Sequence, residues 1–134
     1  MPEKQVGFNT VRTIALRLPD VEESTTYGSP CFKARGKLLA CIAIHRSAEP
    51  YTLAVRVNLE GRAAMIEEAP DTYYLTDHYV NHPFVLVRMK RIEPEALKDL
   101  LRSAWRLTTA EATKTATRRR SSGVIPKRKP RRRG

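Results

Sequence analysis

Charge divides this chain before any element of structure does. The last 21 residues, Lys114 to Gly134, hold 10 lysines and arginines and no acid, whereas residues 1–113 hold 15 basic and 14 acidic residues. The overall charge of +11 is therefore +10 from one end and +1 from a nearly neutral body. Blocks of like charge repel themselves and serve as interaction arms rather than packed structure. Only the body can supply a hydrophobic core, and the arm calls for a polyanionic partner, of which nucleic acid is the simplest.

The body of about 107 residues is long enough for a core that needs no disulfide or metal staple. No apolar run approaches the length of a membrane span, and Met1-Pro2-Glu3-Lys4-Gln5 lacks the apolar core of a secretory signal, so a cytoplasmic location is expected. Cys31 and Cys41 flank a candidate hairpin. A three-residue loop, Arg35-Gly36-Lys37, would set them directly opposite each other. That makes a cross-strand disulfide geometrically open, but a reducing cytosol favours two thiols. Two cysteines with three scattered histidines make no zinc signature.

Val11, Ile14, Ala15 and Leu18 recur at helical spacing, which predicts a helix over 10–18, capped by Asn9 or Thr10 and ended by Pro19. An irregular acidic stretch, 20–26, follows. Residues 31–34 and 38–44 predict two strands about the Arg-Gly-Lys loop, the second mostly apolar and so central. Thr52 to Val57 alternates, with Leu53, Val55 and Val57 on one face and Thr52, Ala54 and Arg56 on the other. Asn58 predicts the cap of a helix over 59–68 that buries Leu59, Ala63 and Ile66. A short strand at 73–75 and a long one at 84–92 come next. Pro94 opens a last helix whose stripe is Leu97, Leu100, Leu101, Ala104, Trp105 and Leu107. Beyond Leu107 the apolar pattern lapses, and a disordered Arg/Lys-rich tail is expected over 108–134. The order of elements predicts an α+β domain, residues 1–107, with an antiparallel sheet carrying its helices mainly on one face.

Several short stretches in order carry a resemblance. They are Leu18-Pro19-Asp20-Val21-Glu22-Glu23; Tyr27-Gly28-x-Pro30-x-Phe32-x-x-x-Gly36-Lys37-Leu38; Asp77-His78-Tyr79; His82-Pro83-Phe84-Val85-Leu86-Val87-Arg88; and Leu100, Ala104 and Trp105. Together they resemble the MmcQ/YjbR-like family of small bacterial proteins over residues 8–107. The resemblance implies a double-wing α+β fold whose sheet and wing-like loops form a DNA-binding surface. It carries no catalytic residue.

Four constellations compete as sites. The tail cations Arg118, Arg119, Arg120, Lys127, Arg128, Lys129, Arg131, Arg132 and Arg133 suit phosphate neutralisation, against the alternative of a solubilising end. They carry no aromatic residue for base stacking. A second basic set comprises Arg56, Arg88 and Lys90, facing out from the sheet, with Lys33, Arg35 and Lys37 on the hairpin. These either grip phosphates or pair with local acids. His78-x-x-x-His82 has metal-site spacing only on a helix, and Asn81 and Pro83 place it in a loop. Tyr73, Tyr74 and Tyr79, near the Tyr27-Gly28-Ser29-Pro30 turn, could line a small-ligand pocket or simply pack. With no serine elbow, Gly-rich phosphate loop or activated cysteine, the chain reads as a binding protein and not an enzyme, with no cofactor or metal. The leading expectation is a cytoplasmic, nucleoid-associated DNA-binding protein that is anchored electrostatically and non-specifically. RNA is the alternative polyanion, a monomer the default, and no membrane partner is implied. The competing expectation is a protein-interaction or small-ligand module whose tail is a generic nucleic-acid anchor.

Overall fold

A computed structural model of the chain describes residues 6–26 and 28–124, with side chains through Thr113. The elements run α1 (Phe8–Ala15), β1 (Val21–Thr26), β2 (Ser29–Ala34), β3 (Lys37–Ile42), β4 (Thr52–Arg56), α2 (Leu59–Glu68), β5 (Tyr73–Tyr74), β6 (Phe84–Arg88) and α3 (Pro94–Val124). The six strands form one antiparallel sheet in the order β1-β2-β3-β4-β6-β5.

The alternation in β4 and β6 sets the two faces. Leu53, Val55, Val85 and Val87 lie fully buried beneath the helices, in one core with Val11 and Ala15 of α1 and Leu97, Leu101 and Ala104 of α3. Each fully buried leucine of this set is worth about 1.5–3 kcal/mol of transfer free energy. Trp105 ties the layers together, its Nε1–H donating to the Pro19 carbonyl at 2.7 Å. Met65 and Ile66 bring α2 against the same core. Ala54, Phe84 and Leu86 point to the opposite face, where Ala48 and Tyr79 pack on them from the loops after β3 and β5.

The local chemistry corrects several expectations. The acidic stretch after Pro19 is a strand, β1, that pairs with β2. As an edge strand it needs one partner only, so its polar sequence costs little. Helix α1 starts at Phe8 with Gly7 at its cap, and Thr10 reaches back to accept the Gly7 N–H at 3.3 Å. Helix α2 keeps its expected bounds, and Asn58 Oδ1 accepts from the Glu60 N–H at 2.9 Å. Its buried face is only partly the expected one: Ile66 packs on the core, but Leu59 is 54% exposed and Ala63 is exposed. The expected strand over 84–92 ends at Arg88, and a turn there closes through Arg91 and Ile92 N–H bonds to the Arg88 carbonyl.

The β2–β3 hairpin is tighter than a three-residue loop. Arg35 and Gly36 alone make the turn, both left-handed (φ 53° and 84°), which favours glycine at the second position. A bulge then leaves Leu39 unpaired between Leu38, opposite Lys33, and Ala40, opposite Phe32. The bulge restores the register that the longer loop would have given, so Cys31 does face Cys41, and both are free thiols.

Helix α3 also departs from the reading of a tail disordered from residue 108, since it continues through Val124. Thr108 and Thr109 are buried, and their hydroxyls donate to the carbonyls of Ala104 and Trp105 at 2.7 and 2.9 Å. Such back-bonding satisfies threonine inside a helix, and after Pro94 the run carries no proline before Pro126 to stop it. Residues 125–134 lie outside the described residues.

Candidate functional site

Two loops cover the sheet face opposite the helices, residues 43–51 between β3 and β4 and residues 75–83 between β5 and β6. Between them runs a groove of about 690 Å³. Its floor comes from the strands, with Leu38, Cys41, Ala54 and Phe84, and its walls come from the loops. All three histidines of the chain, His45, His78 and His82, stand in those walls, with Arg46 beside them. The volume is that of a small-molecule site, and among the described residues no aspartate or glutamate lines it.

The histidines are held in a defined arrangement. The rings of His45 and His78 stack nearly parallel, with centroids 3.5 Å apart. Tyr79 meets both edge-on, at 6.3 and 4.8 Å. His45 Nδ1 accepts the Ser47 backbone N–H at 3.1 Å and bonds the Ser47 hydroxyl at 2.8 Å, which in turn bonds Thr76 Oγ1 at 2.9 Å. A backbone N–H can only donate, so the neutral His45 ring carries its proton on Nε2. Burial holds His45 below the ordinary histidine range, with repulsion from His78 and Arg46 adding to it. The Cys41 thiol on the floor is pushed by burial up to about 11. Burial also raises the Tyr79 hydroxyl, against the backbone N–H of His45 that it accepts. The groove thus holds hydrogen-bond donors and polarisable rings over an apolar floor.

The basic residues singled out from the sequence take different places. Arg88 is committed to structure. It makes a bidentate pair with Glu49 at 2.8 and 3.0 Å, donates to the carbonyls of Pro70 and Asp71, and lies over the Tyr74 ring. Arg56 donates to the Leu38 carbonyl at 2.8 Å and lies over Phe84. Burial pulls its guanidinium below the ordinary arginine range, partly opposed by Glu111. Lys90 sits over the Tyr51 ring. The expected outward-facing row of Arg56, Arg88 and Lys90 is therefore three separate contacts, because each cation satisfies a neighbouring carbonyl, carboxylate or ring face of its own.

The hairpin set stays together at one corner. Lys33 and Lys37 are half-buried, and Arg35 is exposed at the turn. Arg35 Nε pairs with Asp20 at 3.1 Å, and its Nη1 donates to Thr113 Oγ1 of α3 at 2.9 Å. The hairpin turn thus touches α3 one residue before Lys114, where the run of ten cations starts. Arg118, Arg119 and Arg120 continue this helix by backbone, their side chains outside the described residues. Lys127, Arg128, Lys129, Arg131, Arg132 and Arg133 lie wholly outside them.

His78 and His82 are brought within 6.2 Å of each other, but His78 stacks on His45 instead. Among the described residues no group of three or more His, Cys, Asp or Glu side chains is placed to hold a metal ion. The expected tyrosine pocket is divided by the sheet. Tyr73 joins the core under the helices, while Tyr74 and Tyr79 pack on the groove side. Tyr27 lies outside the described residues. Sequence reading missed His45 and Arg46, which stand more than thirty positions from His78. The only available signal was that strand β3 ends in a loop long enough to fold back over its own sheet face.

Comparison with known proteins fits this architecture. The chain matches, at 41% identity over 54 residues, uncharacterised proteins of Mycobacterium tuberculosis and Mycobacterium bovis, the match covering 40% of this chain and 42% of each relative. The matched stretch is thus less than half the length of those relatives. The crystal structure of Deinococcus radiodurans protein DR2400, which carries a DUF419 domain, superposes with a TM-score of 0.65 over 78% of this chain and 80% of that one, at 21% identity. That likeness establishes the fold. The YjbR family model spans residues 16–107, from the end of α1 through the sheet to the last apolar position of the α3 stripe, and the chain therefore belongs to the YjbR family.

Proposed function

We propose that the protein binds duplex DNA electrostatically, with the basic C-terminal segment supplying most of the affinity and the β2–β3 hairpin lying beside it. The observation that carries this reading is the Arg35–Thr113 hydrogen bond. It sets the hairpin, with Lys33 and Lys37, against α3 immediately before ten cations without an acid. A neutral body supports a division of labour. Arg12, Arg35 and Arg88 are paired with Glu23, Asp20 and Glu49, so the folded domain spends part of its positive charge on itself. Phosphate contacts position a protein without specifying sequence, and such binding is steeply salt-dependent.

The test is duplex binding by fluorescence anisotropy against salt for the full chain. Six neutralised phosphates give a log–log slope of about −5. Replacing Arg118, Arg119 and Arg120 with Gln should make the slope shallower by roughly 0.9 for each phosphate no longer neutralised, and Lys33→Gln with Lys37→Gln should act in the same direction more weakly. Binding that is absent at low salt, or that does not change with salt, would overturn the proposal.

A further inference from the structure

The histidine-walled groove has no part in the DNA-binding reading. It lies on the sheet face opposite the helices, and its chemistry differs from that of a phosphate grip. The half-buried Leu38 and Cys41 of the floor offer apolar surface. The walls offer donors, polarisable rings and one cation, Arg46, and no carboxylate among the described lining residues answers it. Three histidines and an arginine from two loops more than thirty positions apart converge there, although the chain has only three histidines in all. The Ser47–Thr76 chain fixes the His45 ring with its donor at Nε2, so the arrangement is set before any ligand arrives.

From this geometry we infer that the groove is a binding site for a small aromatic carboxylate. The ring lies on the half-buried Leu38 and Cys41 floor, and the carboxylate accepts from His45 Nε2–H and faces His78 and Arg46. Charge complementarity selects this ligand: a neutral apolar compound would leave Arg46 and the imidazoles unanswered, and a cation would be repelled. A volume of about 690 Å³ admits a bicyclic ring with room for a substituent.

The experiment titrates the full-length chain with 2-naphthoate, following the histidine ring resonances by two-dimensional NMR. Its neutral isostere 2-naphthamide is run in parallel. The expected result is a saturable shift of the His45 and His78 rings with naphthoate and at least tenfold weaker binding of the amide. Ile44 is 59% exposed on the groove's rim, so Ile44→Glu adds a negative charge there without touching the core. It should weaken naphthoate at least tenfold while the backbone amide spectrum stays folded. His78→Ala, at an exposed position, should do the same. Absence of a saturable histidine shift, equal binding of acid and amide, or unchanged affinity in folded Ile44→Glu would each overturn the assignment. Neutralising Arg118, Arg119 and Arg120 should leave the histidine shifts intact; their disappearance would place the carboxylate on the basic segment and overturn it too. DNA binding is read separately, so either proposal can fail alone.

Discussion

The two faces of the sheet are built from the same strands and finished by different means. On one face, α1 and α3 lay regular apolar stripes over Leu53, Val55, Val85 and Val87, and those four side chains are sealed from solvent. On the other, Ala54 and Leu86 are equally buried, yet their cover is two loops that bring polar and ring-bearing side chains with them. A helix can bury a continuous surface because its own backbone bonds are satisfied internally. A loop must keep its backbone polar groups answered, and here the loops recruit Arg62, whose guanidinium donates to the Val80 and His82 carbonyls, with Tyr74 and His45. One face therefore stores stability, and the other leaves a shaped, chemically mixed opening.

That contrast can be broken most forcefully from the helical side. Leu97→Ala should cost about 2–5 kcal/mol in urea denaturation, because Leu97 is fully buried and its neighbours are pinned by the sheet. Leu38→Ala, on the half-buried groove floor, should cost clearly less; equal effects would mean that the loops cover their face as tightly as the helices do. Tyr74→Phe probes the loop cover. The Tyr74 hydroxyl accepts from the Glu49 N–H at 2.8 Å and shares a 2.6 Å bond with the fully buried Thr52 hydroxyl, so its removal should cost about 1–3 kcal/mol by the same measurement. The smallest effect is electrostatic. His45 sits below its ordinary pKa in the fold, so the unfolded chain takes up its proton first as pH falls. Stability should therefore decline as pH drops through about 6.5, continue to decline down to the folded pKa, and show a flatter profile in His45→Gln. A profile identical in wild type and variant would show that the groove exerts no penalty on a charged imidazole.

What the sequence made legible follows the same division. The strands β3, β4 and β6, the α3 stripe and the Asn58 cap were readable because each depends on local periodicity or one side-chain bond. Strand β1 was not, since Val21 to Thr26 owes its conformation to β2 and carries no apolar alternation of its own. The Cys31–Cys41 pairing was anticipated through the wrong local geometry. A two-residue turn and a bulge at Leu39 sum to the same offset as a longer loop, and residue counting cannot separate them. The groove was invisible for a stronger reason. His45 and His78 meet only because both loops fold over one sheet face, a consequence of strand order that no spacing along the chain encodes. The basic segment is legible as a concentration of charge, but its helical start is not, because a run of Thr and Ala lacks an apolar stripe without forbidding a helix.

Strand β1 has one more consequence. It forms one border of the sheet, and its exposed Glu22 and Glu23 stand where a second chain would have to add its own strand; the other border, β5, is two residues long. An acidic margin and a stub are both poor templates for lateral growth. Copies of this chain can thus reach high local concentration without their sheets fusing side to side into larger, insoluble ribbons.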